Sequence, residues 1–266
     1  VVIAVASVTV TDSDTSSIRV PVDLPFGRRN GFFWAVSASV ARELETRRTS
    51  DTRRYEPKVG SALPTDILFY ASKVFAWVLG LTLFRFRVTG RHNIPLNTGA
   101  LIASNHQSYL DPVIIGTAAR RRTGYLARET LFRGSGFFRR LITLYGALPI
   151  SLEGSGKDGI RLAVAHLKKK RHILVFPEGT RTHDGSVGPM HPGVKLIAER
   201  AGVPIVPAAI RGAFETWPRH AKRFRLHPLS AGFAKRFEPD ELRKMSAGEF
   251  CEALRGRIAS LLNKLP

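Results

Sequence analysis

The run Ser104-Asn105-His106-Gln107-Ser108-Tyr109-Leu110-Asp111-Pro112 sets a histidine five positions before an aspartate. Imidazole titrates near neutral pH, so His106 suits a general base that takes a proton from a hydroxyl. Asp111 could hold the second ring nitrogen, fix the tautomer and stabilise the imidazolium formed during reaction. In a regular helix a five-residue step separates two side chains by roughly 140°. The two can meet only if His106 lies in a turn before the helix that Asp111 opens. The pair alone is weak: at this composition about 0.3 such pairs arise by chance at any fixed spacing. A loop histidine and a helix-opening aspartate would read the same way.

A second run, Phe176-Pro177-Glu178-Gly179-Thr180-Arg181, follows an apolar stretch. Pro177 removes a ladder donor and ends a strand. Gly179 allows a backbone amide to come close to a ligand. Arg181 offers a planar fork suited to phosphate. Glu178 could accept a hydrogen bond from a hydroxyl or orient Arg181. An ordinary polar loop with an ion pair is the alternative. The third run, Val203-Pro204-Ile205-Val206-Pro207, reads on its own as a core strand starting after a turn. Other motifs fail. Gly154-Ser155-Gly156-Lys157 lacks the phosphate-loop spacing, with Asp158 where Ser or Thr should follow the lysine. Ser108 is in no nucleophile elbow. The remaining histidines show no metal-ligand spacing. The single cysteine, Cys251, excludes a disulfide framework and a Cys-rich zinc site.

These runs need elements to position them. Residues 99–104 read as an apolar strand feeding the His106 run, and 112–119 as the helix after it. Then follow a strand at 123–127, a helix at 136–145, a strand at 147–151 and a helix at 160–170. A buried strand at 172–176 feeds the Glu178 run, and a helix at 194–201 precedes a strand at 204–210. This alternation predicts an α/β domain with a mostly parallel sheet flanked by helices. Such sheets carry their active groups at the carboxyl ends of strands. The period-two pattern of Phe84, Phe86 and Val88 predicts a half-buried strand. Two further strand-like runs, 223–227 and 231–237, are basic. Ser246 to Glu249 reads as a capping box. Phe250, Leu254, Ile258, Leu261 and Leu265 continue it as a helical stripe.

Ahead of the domain, Thr65 is a plausible N-cap and Asp66 suits a first helical turn. Residues 67–84 are mostly apolar, at the short edge of a spanning length. Lys73 lies in their middle and would cost about 2.5–3.5 kcal/mol at a bilayer centre. Residues 61–85 are therefore expected to form a membrane-associating helix lying in the interface, rather than a span or a helix of a soluble core. Residues 1–60 read poorly as a domain, with a polar breaker run at 11–17 and an unanchored charged run at 42–54. No basic n-region or cleavage pattern marks a signal peptide. The chain starts at Val1 and its first methionine is Met190. Residues 1–60 are expected to be a disordered extension or to lie before the true start.

The 266 residues carry 41 Lys+Arg against 21 Asp+Glu, a net charge of +20, with a hydrophobic share of 44% typical of a globular chain. Residues 1–60 hold nine basic and seven acidic residues, and 61–266 hold the other 32 and 14, so +18 belongs to the second part. Nucleic acid and an anionic membrane are the two obvious partners for such charge. No zinc-finger spacing, RNP-like aromatic pattern or basic zipper supports nucleic acid. The densest clusters are Arg120-Arg121-Arg122, 168–171 and 219–236.

The three runs, in this order, resemble the glycerolipid acyltransferase family, with the nearest likeness to its 1-acylglycerol-3-phosphate acyltransferases. The likeness covers about residues 65–220. It implies an acyltransferase domain over 86–266 on a mostly parallel sheet. His106 would deprotonate the acceptor hydroxyl and Asp111 would orient His106. The hydroxyl would attack the thioester of acyl-CoA or acyl carrier protein, with no acyl-enzyme and no cofactor. Asn105, Glu178, Gly179, Thr180 and Arg181 would hold the glycerol phosphate. One departure stands out: Leu152 occupies the place of an acceptor-binding arginine, and Arg139 and Arg140 could supply that charge from another direction. Lysophosphatidic acid is the expected acceptor. An ornithine-type lysolipid, another lysophospholipid, a hydrolase on the same pair, or a non-catalytic lipid- or nucleic-acid-binding module are the alternatives. The implied partners are a lysolipid, a thioester donor and an anionic membrane surface rather than nucleic acid. The active site is expected on the cytoplasmic face of the inner or plasma membrane.

Overall fold

The computed structural model describes residues 63–133, 136–150, 157–221 and 223–266. The expectations for residues 1–60 and for Leu152 lie outside the described residues.

Among the described residues seven strands form one sheet: β1 (Arg87–Thr89), β2 (Ala100–Ser104), β3 (Thr123–Arg128), β4 (Ala147–Ile150), β5 (His172–Val175), β6 (Ile205–Arg211) and β7 (Ser230–Phe233). Their order is β1-β7-β6-β2-β5-β3-β4. Every neighbouring pair is parallel except β6 with β7, which is antiparallel. Parallel neighbours need crossovers, and helices supply them. In chain order these are α1 (Leu63–Phe84), α2 (Asp111–Ala118), α3 (Gly136–Leu144), α4 (Lys157–Lys168), α5 (Gly193–Ala201), α6 (Ala213–Thr216), α7 (Pro239–Lys244) and α8 (Ala247–Lys264). The expected fold class is the observed one.

β2 is the central strand and all five of its residues are buried. Its side chains alternate between two cores. Ala100 and Ile102 join Phe69, Ile115, Leu174 and Phe233 on one face. Leu101 and Ala103 join Ile173, Ile205, Phe250 and Leu254 on the other. Two-sided burial explains why these strands read as unbroken apolar runs. The Ser246 capping box is present in full, with both reciprocal bonds to Glu249.

α1 begins at Leu63, so Thr65 lies inside it rather than at its N-cap, and Pro64 falls in the first turn, where a missing N–H costs nothing. The helix is tied to the domain along its length. Asp66 pairs with Arg122 at 2.9 Å, Lys73 Nζ donates to the Ala119 carbonyl at 2.5 Å, and Trp77 meets Phe86 edge-on. Phe69 and Phe84 are buried. The opposite face carries Ile67, Leu68, Val74, Phe75, Val78 and other large apolar side chains in the open. Lys73 therefore points at the protein.

Three expectations need correction. Phe84 ends α1 instead of opening a strand: Arg85 turns the chain at a φ of 48° and Phe86 N–H donates to the Gly80 carbonyl at 2.9 Å. A side chain at position 80 would come within 3.1 Å of Phe86 Cβ, so the glycine permits this fold-back. β1 is left with three residues. Residues 223–227 form no strand; Arg225 N–H donates to the Thr216 carbonyl, and the Phe224 ring turns to Phe84 and Trp217. The run 231–237 forms β7 only to Phe233, with a separate antiparallel bridge between Ile205 and Phe237.

Candidate active site

Ala103 of β2 is in register with Val175 of β5. Three residues further along each strand stand His106 and Glu178, so parallel pairing brings the two sequence runs to the same level. His106 N–H donates to Glu178 Oε1 at 3.0 Å, and Gly188 N–H donates to Glu178 Oε2 at 3.1 Å. The Thr182 N–H donates to the His106 carbonyl at 2.8 Å. Glu178 is buried, and burial pushes its pKa up against the pull of those two amides. Its carboxylate is occupied in joining the turns after β2 and β5.

The turn after β2 places the base. Asp111 is the first residue of α2, with Pro112 beside it. Its Oδ2 accepts from the backbone N–H groups of Gln107 at 2.6 Å and Ser108 at 2.8 Å. The same oxygen lies 2.7 Å from His106 Nδ1. Asp111 is fully buried, and the His106 side chain is 20% exposed. A carboxylate that accepts two amide bonds stays acceptor-only, so Nδ1 carries the proton and donates to it. Nε2 is then the basic nitrogen, and it has no hydrogen-bond partner among the described residues. The His106 ring stacks on Phe176 with centroids 3.9 Å apart and planes 12° apart, which fixes its rotation.

Arg181 turns its guanidinium over the Tyr109 ring, 3.6 Å from the centroid. Stacking leaves the in-plane N–H groups free. One terminal nitrogen is buried with no partner among the described residues. Gly179 has a φ of 71°, and a side chain there would come within 3.2 Å of the His191 ring. Gly179 and Thr180 are exposed, and Thr180 Oγ1 accepts from Arg219 at 3.2 Å.

Asn105 does not face this opening. Its side chain pairs with β6, donating to the Ile210 carbonyl at 3.0 Å and accepting from the Ile210 N–H at 2.8 Å. It thereby continues the β2–β6 pairing past the last strand residue. Arg139 and Arg140 are exposed on α3, and among the described residues no hydrogen bond or ion pair ties them to the His106 group. Two contributors carried no role in the sequence reading. Phe176 supports the imidazole, and Ser108 Oγ donates to the Trp217 carbonyl at 2.8 Å while accepting from Leu110 N–H at 3.2 Å. Phe176 was visible only as the last apolar residue of its run.

Glu178→Ala would leave two N–H groups without their acceptor, at about 1–3 kcal/mol each. A loss of roughly 2–6 kcal/mol in denaturant unfolding is expected, together with slower turnover because His106 loses its backbone anchor. Glu178→Gln should recover part of both, since one amide oxygen can still accept.

The chain is similar to several known proteins. The acyltransferase family model matches residues 85–211. A 1-acyl-sn-glycerol-3-phosphate acyltransferase of Bacillus subtilis is 29% identical over 67% of this chain and 89% of its own length. The human 1-acyl-sn-glycerol-3-phosphate acyltransferase alpha is 32% identical over 53% of this chain, which spans 50% of that protein. The crystal structure of a 1-acyl-sn-glycerophosphate acyltransferase from Thermotoga maritima superposes with a TM-score of 0.64 at 21% identity, covering 80% of this chain and 86% of that one. The last of these speaks to the fold. The segment matched by the acyltransferase family model takes in both the His106–Asp111 turn and the Glu178 turn that is bonded to it.

Proposed function

We propose that this acyltransferase moves an acyl chain from a thioester donor, acyl-CoA or acyl carrier protein, to the free hydroxyl of 1-acylglycerol-3-phosphate and so makes phosphatidic acid. The observation that carries the proposal is an imidazole whose Nδ1 is held by buried Asp111 while Nε2 has no hydrogen-bond partner among the described residues. Nε2 takes the hydroxyl proton as the oxygen attacks the thioester carbon. The tetrahedral adduct collapses, the C–S bond breaks, and the proton passes from Nε2 to the leaving thiolate. Asp111 stabilises the imidazolium in between. Arg181, with a terminal nitrogen that has no partner among the described residues, suits the acceptor's phosphate. Gly179 and Thr180 are exposed just before it in the chain, and Glu178 acts by joining the two turns. The reaction calls for no cofactor beyond the thioester.

The named relatives support this acceptor, since each is a 1-acylglycerol-3-phosphate acyltransferase. α1 is long and apolar enough to cross a membrane, with only 11% of that window buried. Its attachment to the domain from Asp66 to Phe84 favours a helix lying in the interface, with its free apolar face in the lipid. The charge of the chain suits an anionic cytoplasmic leaflet. Purified protein supplied with acyl-CoA and a panel of lysolipids tests the assignment. Preferred labelling of lysophosphatidic acid is expected. Equal or better use of an ornithine-type lysolipid or a lysophospholipid would overturn the acceptor, and release of free fatty acid alone would make the protein a hydrolase.

A further inference from the structure

The segment between α6 and β7 touches the site through Trp217 and Arg219, and the rest of its surface is unusual. From Thr216 to Phe237 there is no acidic residue. Phe224 is 48% exposed and Leu226 62% exposed, set among Arg219, Arg223 and Arg225. None of these arginines forms an ion pair among the described residues. Fifteen large apolar side chains are exposed among the described residues; nine lie on α1, and Tyr109, Phe224 and Leu226 account for three of the other six.

The loop is also continuous with α1 and with the site. Phe224 packs edge-on against Phe84, the last residue of α1, with centroids 5.5 Å apart. On its other side it meets Trp217 at 6.4 Å, and Trp217 meets Tyr109 at 5.8 Å. Tyr109 is the ring beneath Arg181. A ridge of aromatic rings thus runs from α1 to the Arg181 guanidinium. Exposed apolar tips flanked by arginines that form no ion pair among the described residues match a lipid leaflet, which takes the first into its acyl boundary and the second onto its phosphates.

We infer that residues 218–221 and 223–227 form a second membrane-inserting element, seated in an anionic leaflet beside α1, which brings the lipid surface to the mouth of the His106 site. The inference rests on the reading that the protein works at a membrane. It gives a lysolipid a short route: the head group moves along the Tyr109–Trp217 ridge to Arg181 while its acyl chain stays in the leaflet.

Co-sedimentation of the full chain with phosphatidylcholine vesicles, with and without phosphatidylglycerol, tests the inference. Leu226→Ser should lower partitioning about fivefold on both vesicle types. Arg223→Ala with Arg225→Ala should lower it about thirtyfold on the anionic vesicles and leave the neutral ones unchanged. Leu226→Ser should keep transfer to a water-soluble short-chain lysolipid while transfer to a vesicle-embedded acceptor falls. Wild-type partitioning by both variants would overturn the inference and leave the assigned activity untouched. Failure of the wild type to bind either vesicle would overturn the membrane reading itself. Arginine variants that lose duplex DNA and keep vesicles would reassign the loop to nucleic acid. Lowered partitioning by the variants of a protein that shows no acyl transfer would uphold the loop and sink the activity.

Discussion

His106→Ala is expected to lower acyl transfer by about 10²–10⁴, the usual contribution of a positioned base. The loss should appear in kcat, because the imidazole acts on a proton in flight and holds no ground-state charge on either substrate. The fold should survive. The backbone of residue 106 keeps its bonds to Glu178 and Thr182, neither of which uses the ring. Asp111 Oδ2 keeps the amides of Gln107 and Ser108. What is lost is the stack on Phe176 and one charge-assisted bond. A thermal melt alongside the assay separates the two effects. A well-folded variant with wild-type turnover would remove His106 from the mechanism.

Asp111→Asn is expected to lower kcat by up to about 10⁴, the loss known where a triad aspartate is amidated. The reason is charge. In the native turn one carboxylate oxygen serves His106 Nδ1 and two backbone N–H groups. In the asparagine variant the amide oxygen in that place still accepts from all three, so α2 keeps its start. The amide N–H₂ falls at the other, buried oxygen position, which has no partner among the described residues. The neutral amide no longer stabilises the imidazolium formed during reaction. KM for donor and acceptor should change little. An Asp111→Asn enzyme with native kcat would show that Asp111 merely opens the helix.

The α/β class, the order of strands and helices and the two chemical runs were legible because apolar periodicity and breaker residues are local signals. β2 reads as apolar on both faces because both faces are buried, and the Ser246 cap reads from a four-residue spacing. The errors share a cause as well. Phe84 and Phe86 alternate like a strand, but Gly80 lets the chain fold back under Phe86, a contact that periodicity does not report. Residues 223–227 look like a strand, but their aromatic ring finds α1 and Trp217 instead of a sheet edge.

Residue types and spacing alone determined that a base, an aspartate and a phosphate-suited arginine exist, that they sit after buried strands, and that the basic charge lies outside the first 60 residues. Roles within the site came only from the tertiary structure. Glu178 and Asn105 look like ligand-binding groups in sequence, yet parallel register sets one opposite His106 and the other opposite Ile210, where backbone takes their hydrogen bonds. Lys73 looks like a charge in a membrane helix, yet the domain supplies the Ala119 carbonyl for it. The physical reason is the same in each case. A polar side chain is claimed by whichever unsatisfied partner the fold brings nearest, and those partners lie tens of residues away along the chain.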